Sequence, residues 1–246
     1  MITVITACFN SEKTIARAIE SLLKQTDKDF EHIVIDGKSA DKTVEIVESY
    51  KDKYRECNIP ILIKSEKDEG LYDALNKGIA LAKGDYIGIM NSDDWYEENT
   101  IEIVNKTALT GNYDVIMGAS YTINGNQILK RKPGEGKFIT SRNFNHGAMF
   151  VKADCYRELG GYENDGNYYD DFLWYIKALK HHKKFKIIDD VLYDFSCGGM
   201  STKKSFKEMF KRINYRYAAY RKNDCSRLYI FECIAMEFAK WLLAKQ

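Results

Sequence analysis

Tyr86-Ile87-Gly88-Ile89-Met90-Asn91-Ser92-Asp93-Asp94 sets five mainly apolar residues directly against a polar, acidic run. A short apolar stretch without polar alternation suits a strand covered on both faces in a parallel sheet. Two adjacent carboxylates at its end are costly to leave unpaired beside a core. A divalent cation relieves that cost. Hard oxygen ligands suit Mg2+ or Mn2+, which one or two carboxylates hold while water and substrate phosphates fill the remaining positions. The competing reading is a solvated turn, or a cap on the following helix.

Upstream, the same strand-then-turn pattern recurs. Ile2 to Ala7 is apolar and β-branched, Asn10 or Ser11 is placed to cap a helix, and Ile15, Ile19, Leu22 and Leu23 recur at helical spacing. His32 to Ile35 is a second strand ending at Asp36, Asp41 a second cap, and Val44, Val47 and Tyr50 a second inward stripe. Ile61 to Ile63 is a third strand, followed by a helix over Leu71 to Ala82 that Gly84 is expected to stop. These connections suit βαβ crossovers and predict an α/β fold whose central sheet is mostly parallel and flanked by helices. Ligands of such sheets sit beyond the carboxyl ends of the strands, where Asp36, Asp68, Asp93 and Asp94 stand. Gly37 permits a tight turn after Asp36, whose carboxylate can accept the ring N–H of a pyrimidine; a plain Asp-Gly turn is the alternative.

Downstream the pattern becomes mixed. Strands are expected at Val115 to Gly118, Tyr121 to Ile123 and Ile128 to Leu129, with Asn124-Gly125-Asn126 turning a hairpin. After a glycine- and lysine-rich loop around Pro133 to Lys137 come a strand at Ala148 to Val151 and helices near Cys155 to Leu159 and Asp171 to Leu179. Asp170 and Asp171 open the last helix, where the macrodipole favours an anion and where a carboxylate can also act as a general base. His146, a lone histidine before an apolar strand, reads as structural or as an acceptor contact.

The 246 residues are 45% hydrophobic and 30% charged, which suits one α/β domain with an appendage. Two prolines and no linker, repeat or low-complexity tract argue against further division. No apolar stretch approaches the roughly 20 residues of a membrane-spanning helix, and the start lacks the basic and long apolar regions of a signal peptide. A cytoplasmic protein is expected. The six cysteines show no C-x-x-C spacing, so zinc and redox-pair readings are disfavoured. The net charge of +1 is uneven: residues 203–246 hold 11 Lys/Arg against 4 Asp/Glu, leaving residues 1–202 acidic. No nucleic-acid partner is expected. Phe206, Met209/Phe210, Ile213 and Tyr217 form one stripe on a helical tail, with many basic residues beside it or opposite. This stripe either packs on the domain or docks on the anionic inner face of a cytoplasmic membrane.

In combination and order these motifs resemble bacterial inverting glycosyltransferases of family two. They run Thr6-Ala7-Cys8-Phe9-Asn10, the Asp36 loop, Ser65 to Gly78, Asn91-Ser92-Asp93-Asp94, His146, Asp170-Asp171 with Lys177, and Gly198-Gly199-Met200-Ser201-Thr202. The Ser65 to Gly78 block looks particularly like transferases of O-antigen, capsule or colanic-acid repeat units. The resemblance covers about residues 1–202 and implies a Rossmann-like A-type glycosyltransferase fold over that span, with a basic, aromatic helical tail at 203–246. It further implies a nucleotide-sugar donor, a UDP-sugar first, held around Thr6, Asn10, Asp36, Asp68, Asn76 and Asp93. Asp36 matches the residue at the base, Asp93 the one near the ribose, and Asp94 the ligand of Mn2+ or Mg2+. Asp171 matches the catalytic base, with Asp170 replacing a usual Glu and Lys177 standing where Arg is common; a shift of one residue would make Asp170 the base. His146 falls on the acceptor side. The implied acceptor is a saccharide or a polyprenyl-diphosphate-linked saccharide in surface polysaccharide synthesis. The chain lacks the Gln-x-x-Arg-Trp signature of processive synthases, so one sugar per encounter is expected.

Other readings fit less of the chain. A sugar-nucleotide pyrophosphorylase needs a glycine-rich turn after the first strand, where this chain reads Ala7-Cys8-Phe9-Asn10-Ser11. A dehydrogenase needs G-x-G-x-x-G, which is absent. A non-catalytic nucleotide- or glycan-binding module would be expected to lack the metal carboxylate or the base.

Overall fold

The computed structural model describes residues 1–125, 127–134, 139–166, 169–197 and 205–243. The expected apolar run becomes β1 (Ile2–Cys8), buried at every position. It pairs in parallel with β2 (Phe30–Asp36) and β4 (Tyr86–Ile89), and β3 (Ile61–Ser65) adds in parallel to β2. Register sets Cys8 beside Asp36 and Asp36 beside Ser65, so the carboxyl ends of three strands come level. The helices α1 (Ile15–Leu23), α2 (Thr43–Ser49), α3 (Lys51–Glu56) and α4 (Leu71–Leu81) make the crossovers.

Beyond β4 the sheet is mixed. β5 (Trp95–Tyr96), α5 (Thr100–Leu109), β6 (Val115–Asn124), β7 (Gln127–Arg131), β8 (Met149–Lys152), α6 (Ala153–Leu159), α7 (Asp170–Lys180) and β9 (Phe185–Ser196) follow in the chain. The strand order is β3-β2-β1-β4-β8-β6-β9-β5, with β7 paired to β6 as the expected hairpin. β8 runs antiparallel to both β4 and β6, while β6 and β9 are parallel to each other. The parallel character is therefore confined to β3-β2-β1-β4 and the β6–β9 pair. The two strands expected over 115–123 are one continuous β6, whose register against β9 shifts between Met117 and Ser120. One apolar cluster covers each face of the sheet. The first gathers Ile5, Ile33, Ile35, Leu75, Phe172 and Trp174, and the second Val4, Ile15, Ile19, Leu22, Val34 and Phe150.

Three local expectations change. Neither Asn10 nor Ser11 caps α1 through its side chain; Asn10 takes a left-handed φ of 50° and, with Ser11, ties down the β2–α2 loop. Gly84 does not end α4 through a left-handed turn: a Cβ there would lie 2.5 Å from the Thr3 backbone nitrogen, so a close approach to β1 demands glycine. Likewise the left-handed residue after Asp36 is Lys38 (φ 65°), whereas Gly37 lies against the Asp68 carboxylate, 2.4 Å from where a Cβ would stand. Asp41 does serve α2, accepting the Thr43 N–H at 3.0 Å.

The tail forms α8 (Phe206–Lys222) and α9 (Tyr229–Leu243). Of the stripe considered for a membrane, Met209 and Ile213 are buried and Tyr217 packs against the same core, while Phe206 and Phe210 remain exposed. The packing half of that expectation thus describes most of the stripe: Met209, Ile213 and Tyr220 join the cluster that contains Phe172 of α7. No described helix is long and apolar enough to cross a membrane. The expected boundary at 202/203 and the motif at 198–202 lie outside the described residues.

Candidate active site

The carboxyl ends of β1 and β2 form one wall. Asp36 is buried, and its oxygens receive the Ser39 N–H at 3.0 Å, the Ser65 hydroxyl at 2.6 Å and the Ser39 hydroxyl, with the Cys8 thiol beside them. That carboxylate shapes the loop it stands in. Asp68 packs on Gly37 and accepts the Gly70 N–H at 3.1 Å, which brings the start of α4 to the same wall. The Asn10 side chain accepts the Ala40 N–H at 3.0 Å and its backbone N–H donates to the Ser39 hydroxyl oxygen at 2.8 Å, locking two loops together. Thr6 faces away from the cleft: it is wholly buried and bonded to His32, which in turn reaches Tyr54.

The adjacent pair beyond β4 divides its labour. Asp94 is 1% exposed; Tyr193 donates to one oxygen together with Asn91 at 3.0 Å, and the Ser196 N–H donates to the other at 2.7 Å. Burial, then the neighbouring Asp93 charge, pushes its carboxyl up to about 6 against those hydrogen bonds. Both Asp94 oxygens accept hydrogen bonds, and the residue expected to hold the ion also ties the loop to β9. Asp93 is half-buried, its carbonyl is held by Arg17 at 2.6 Å, and its carboxylate has no hydrogen bond or ion pair among the described residues. Arg17 is itself stacked 3.9 Å over Trp95. A single open carboxylate on a fixed loop suits a hard divalent cation that takes its other ligands from phosphate and water. No cage of three or more His, Cys, Asp or Glu side chains occurs among the described residues.

The third wall is the start of α7. Asp171 Oδ2 lies 3.4 Å from His146 Nδ1, and Oδ1 accepts the Phe172 N–H at 2.7 Å. Burial pushes this carboxyl above the usual carboxylate range, with the His146 ring, the Phe172 N–H and the Tyr72 hydroxyl pulling the other way. Burial likewise holds His146 below the ordinary imidazole value, so the ring favours its neutral form. His146 Nε2 meets the Tyr162 hydroxyl at 3.2 Å, which continues to Tyr156 at 2.8 Å. A neutral imidazole anchored on one nitrogen presents the other to the carboxylate in a fixed orientation. His146 is thus joined to Asp171 rather than standing alone before its strand. Asp170, by contrast, is fully buried with neither oxygen hydrogen-bonded, and burial first, then Asp165, pushes it up to about 7.

Asn76 spends its amide on Tyr162, accepting the backbone N–H at 2.9 Å and donating to the carbonyl at 2.8 Å. It therefore positions Tyr162, whose hydroxyl meets His146. Lys177 donates to the Leu159 carbonyl at the end of α6.

Residues 3–210 match the family model described as Glycosyl transferase family 2. The chain belongs to glycosyl transferase family 2. Among its relatives, the glycosyltransferase GlyG of Streptococcus pneumoniae serotype 4 is 27% identical over 214 residues, covering 78% of this chain and 69% of GlyG. The fold of this glycosyltransferase is shared with S. aureus TarS 1-349 in complex with UDP-GlcNAc (TM-score 0.74, 18% identity, 97% of this chain and 72% of that one). It is also shared with the mannosyltransferase PcManGT of Pyrobaculum calidifontis in complex with GDP-Man and Mn2+ (TM-score 0.70, 15% identity, 96% and 69%).

The structure sets further residues beside the candidate site that the sequence pattern did not single out. Phe9 is 61% exposed at the end of β1, although it is aromatic and follows a buried strand. Its position inside the Thr6 to Asn10 motif was the available signal. Tyr193 and Arg17, which set the two faces of the Asp93-Asp94 loop, carried none, because their contacts span 99 and 76 residues.

Proposed function

We propose that this transferase moves one sugar from a nucleoside-diphosphate sugar, a UDP-sugar first, to a hydroxyl of a saccharide or polyprenyl-diphosphate-linked saccharide, inverting the anomeric carbon, in surface polysaccharide assembly. The observation that carries the reading is Asp171: a partly buried carboxylate with a raised pKa, fixed by His146 at the start of α7. A sugar hydroxyl is a weak nucleophile at neutral pH, and such a carboxylate can take its proton as the new bond forms. The acceptor oxygen bonds the anomeric carbon, the bond from that carbon to the diphosphate oxygen breaks, and its electron pair leaves with the nucleoside diphosphate. The acceptor proton ends on Asp171. Asp36, Asp68, Asn10 and Phe9 form the wall assigned to the nucleotide, with Asn76 and Thr6 acting behind it. Asp93 would hold Mn2+ or Mg2+, which when bound supplies positive charge to the departing diphosphate. TarS bound to UDP-GlcNAc and PcManGT bound to GDP-Man and Mn2+ lend support to a nucleotide-sugar donor and a divalent ion.

The test is a panel of nucleotide-sugars assayed for nucleoside diphosphate release with and without Mn2+. One donor is expected to be turned over far faster than the rest, with release lost on chelation. Equal, metal-independent release from every donor would refute the reading.

A lipid-linked acceptor would bring the transferase to an anionic membrane, and we assign the approach to exposed Phe206 and Phe210 beside Lys207. Attachment by so small an apolar surface is weak and reversible. Sedimentation with anionic vesicles at low salt, lost at high salt and absent with neutral vesicles, is the expected result. Failure to bind either vesicle type at low salt would remove the membrane from the account.

A further inference from the structure

The tail helices are bonded to the two segments that carry His146 and Asp171. Arg216 of α8 is 1% exposed, and its guanidinium donates to Glu237 of α9 at 2.8 Å and to the Tyr169 hydroxyl at 3.0 Å, lying 5.2 Å over the Tyr169 ring. The other Glu237 oxygen takes Arg212 at 2.7 Å. Tyr169 is the residue immediately before α7, two before Asp171. Glu232, just over one turn earlier on α9, accepts the Thr140 hydroxyl at 2.9 Å and the Ser141 hydroxyl at 3.1 Å. Arg131 closes the same segment from β7, donating to the carbonyls of Ser141 at 3.0 Å and Phe144 at 2.6 Å. Five residues after Ser141 stands His146, whose ring stacks on Phe144.

These contacts are poor choices for stability alone. A buried ion pair is often matched or bettered by apolar residues of similar volume. The Arg216 Nε and the second Glu232 oxygen are also buried without a hydrogen-bond partner, which costs further. What the arrangement does provide is direction. α9 reaches the His146 segment directly through Glu232 and the Asp171 segment through Glu237 and Arg216, so one helix sets the spacing of both.

We propose that Arg216, Glu237 and Glu232 are positioning residues for the transfer: α8 and α9 hold His146 and Asp171 in register by clamping Tyr169 on one side and Thr140-Ser141 on the other. The proposal rests on the reading of Asp171 as the base. Misplacing a catalytic group by about 1 Å can cost roughly a hundredfold in rate. The clamp therefore acts on kcat rather than on donor binding.

The test uses the full chain with Tyr169→Phe, which removes one hydroxyl and keeps the ring, and Glu232→Gln, which keeps the shape and removes the charge. Each is expected to lower kcat by about ten- to a hundredfold, to leave the donor KM within about twofold, to shift the acid limb of the pH–rate profile, and to preserve Tm. In an Asp171→Asn background neither is expected to lower the rate further, since the group being positioned is gone. An active Asp171→Asn enzyme would bring down the base assignment itself. If Asp171→Asn is inactive while Tyr169→Phe and Glu232→Gln keep the parent kcat and acid limb, the clamp is overturned, as it is if their loss of rate merely follows a loss of Tm.

Discussion

Asp171→Asn is expected to lower kcat by about 10²- to 10⁴-fold, the usual contribution of a positioned general base, while nucleoside diphosphate binding stays near that of the parent. The substitution keeps the shape and the Phe172 N–H contact but removes the charge that faces His146. In the parent, rate falls as pH drops through the Asp171 pKa, and because burial raises that value the acid limb lies above the usual carboxylate range near 4. Asp170→Asn behaves differently. The folded chain holds the Asp170 proton up to about 7, whereas the unfolded chain releases it near the ordinary value of 3.8. Stability from this group is thus present at low pH and lost as pH rises through about 7. Asp170→Asn removes that loss, so its Tm relative to the parent is expected to be higher at pH 8 than at pH 5. A Tm difference that is flat with pH would contradict the buried state of Asp170, and a greater loss of kcat for Asp170→Asn than for Asp171→Asn would exchange their roles.

The second large effect separates the adjacent carboxylates of the β4 loop. Asp93→Ala is expected to abolish Mn2+-stimulated turnover with little change in Tm, because its carboxylate makes no hydrogen bond among the described residues that folding would miss. Asp94→Ala strands the buried Tyr193 hydroxyl and the Ser196 N–H. Each unpaired buried donor costs about 1–3 kcal/mol, so this variant loses Tm and, through disorder of the loop, activity as well. Thermal melts with and without Mn2+ and UDP distinguish the two. A Tm increase on adding both that survives Asp93→Ala and disappears with Asp94→Ala would return the ligand role to Asp94.

The amino-acid pattern made the first half of the fold legible because each element there is set locally. β1, β2 and β4 are short apolar runs, and α1 and α4 show apolar residues at helical spacing. β9 escaped notice for the opposite reason. Exposed Asp189 and Asp190 interrupt its apolar pattern, and its pairing partner β6 lies far upstream. The site followed the same rule. Position alone marked Asp93-Asp94 at a strand end and Asp170-Asp171 at a helix start. Which member of each pair faces the cleft depends on Tyr193, Ser196 and His146, residues that only tertiary packing brings near. Asn76 stood out only as part of a polar block, and its bonds to Tyr162, which span 86 residues, left no local signal. Gly84 was read as a helix stop, whereas close approach of the Thr3 backbone is what requires it.

A single displacement with Asp171 as base leaves its mark on the product. Once the donor is identified from the nucleotide-sugar panel, the anomeric configuration of the newly formed linkage can be read by proton NMR from the coupling of the anomeric hydrogen, before any spontaneous change occurs. The account predicts a product of opposite configuration to the donor at that carbon, formed without a covalent sugar–enzyme species. A product that retains the donor's configuration would contradict it, since retention needs either a second displacement or a front-face route in which Asp171 has no such role.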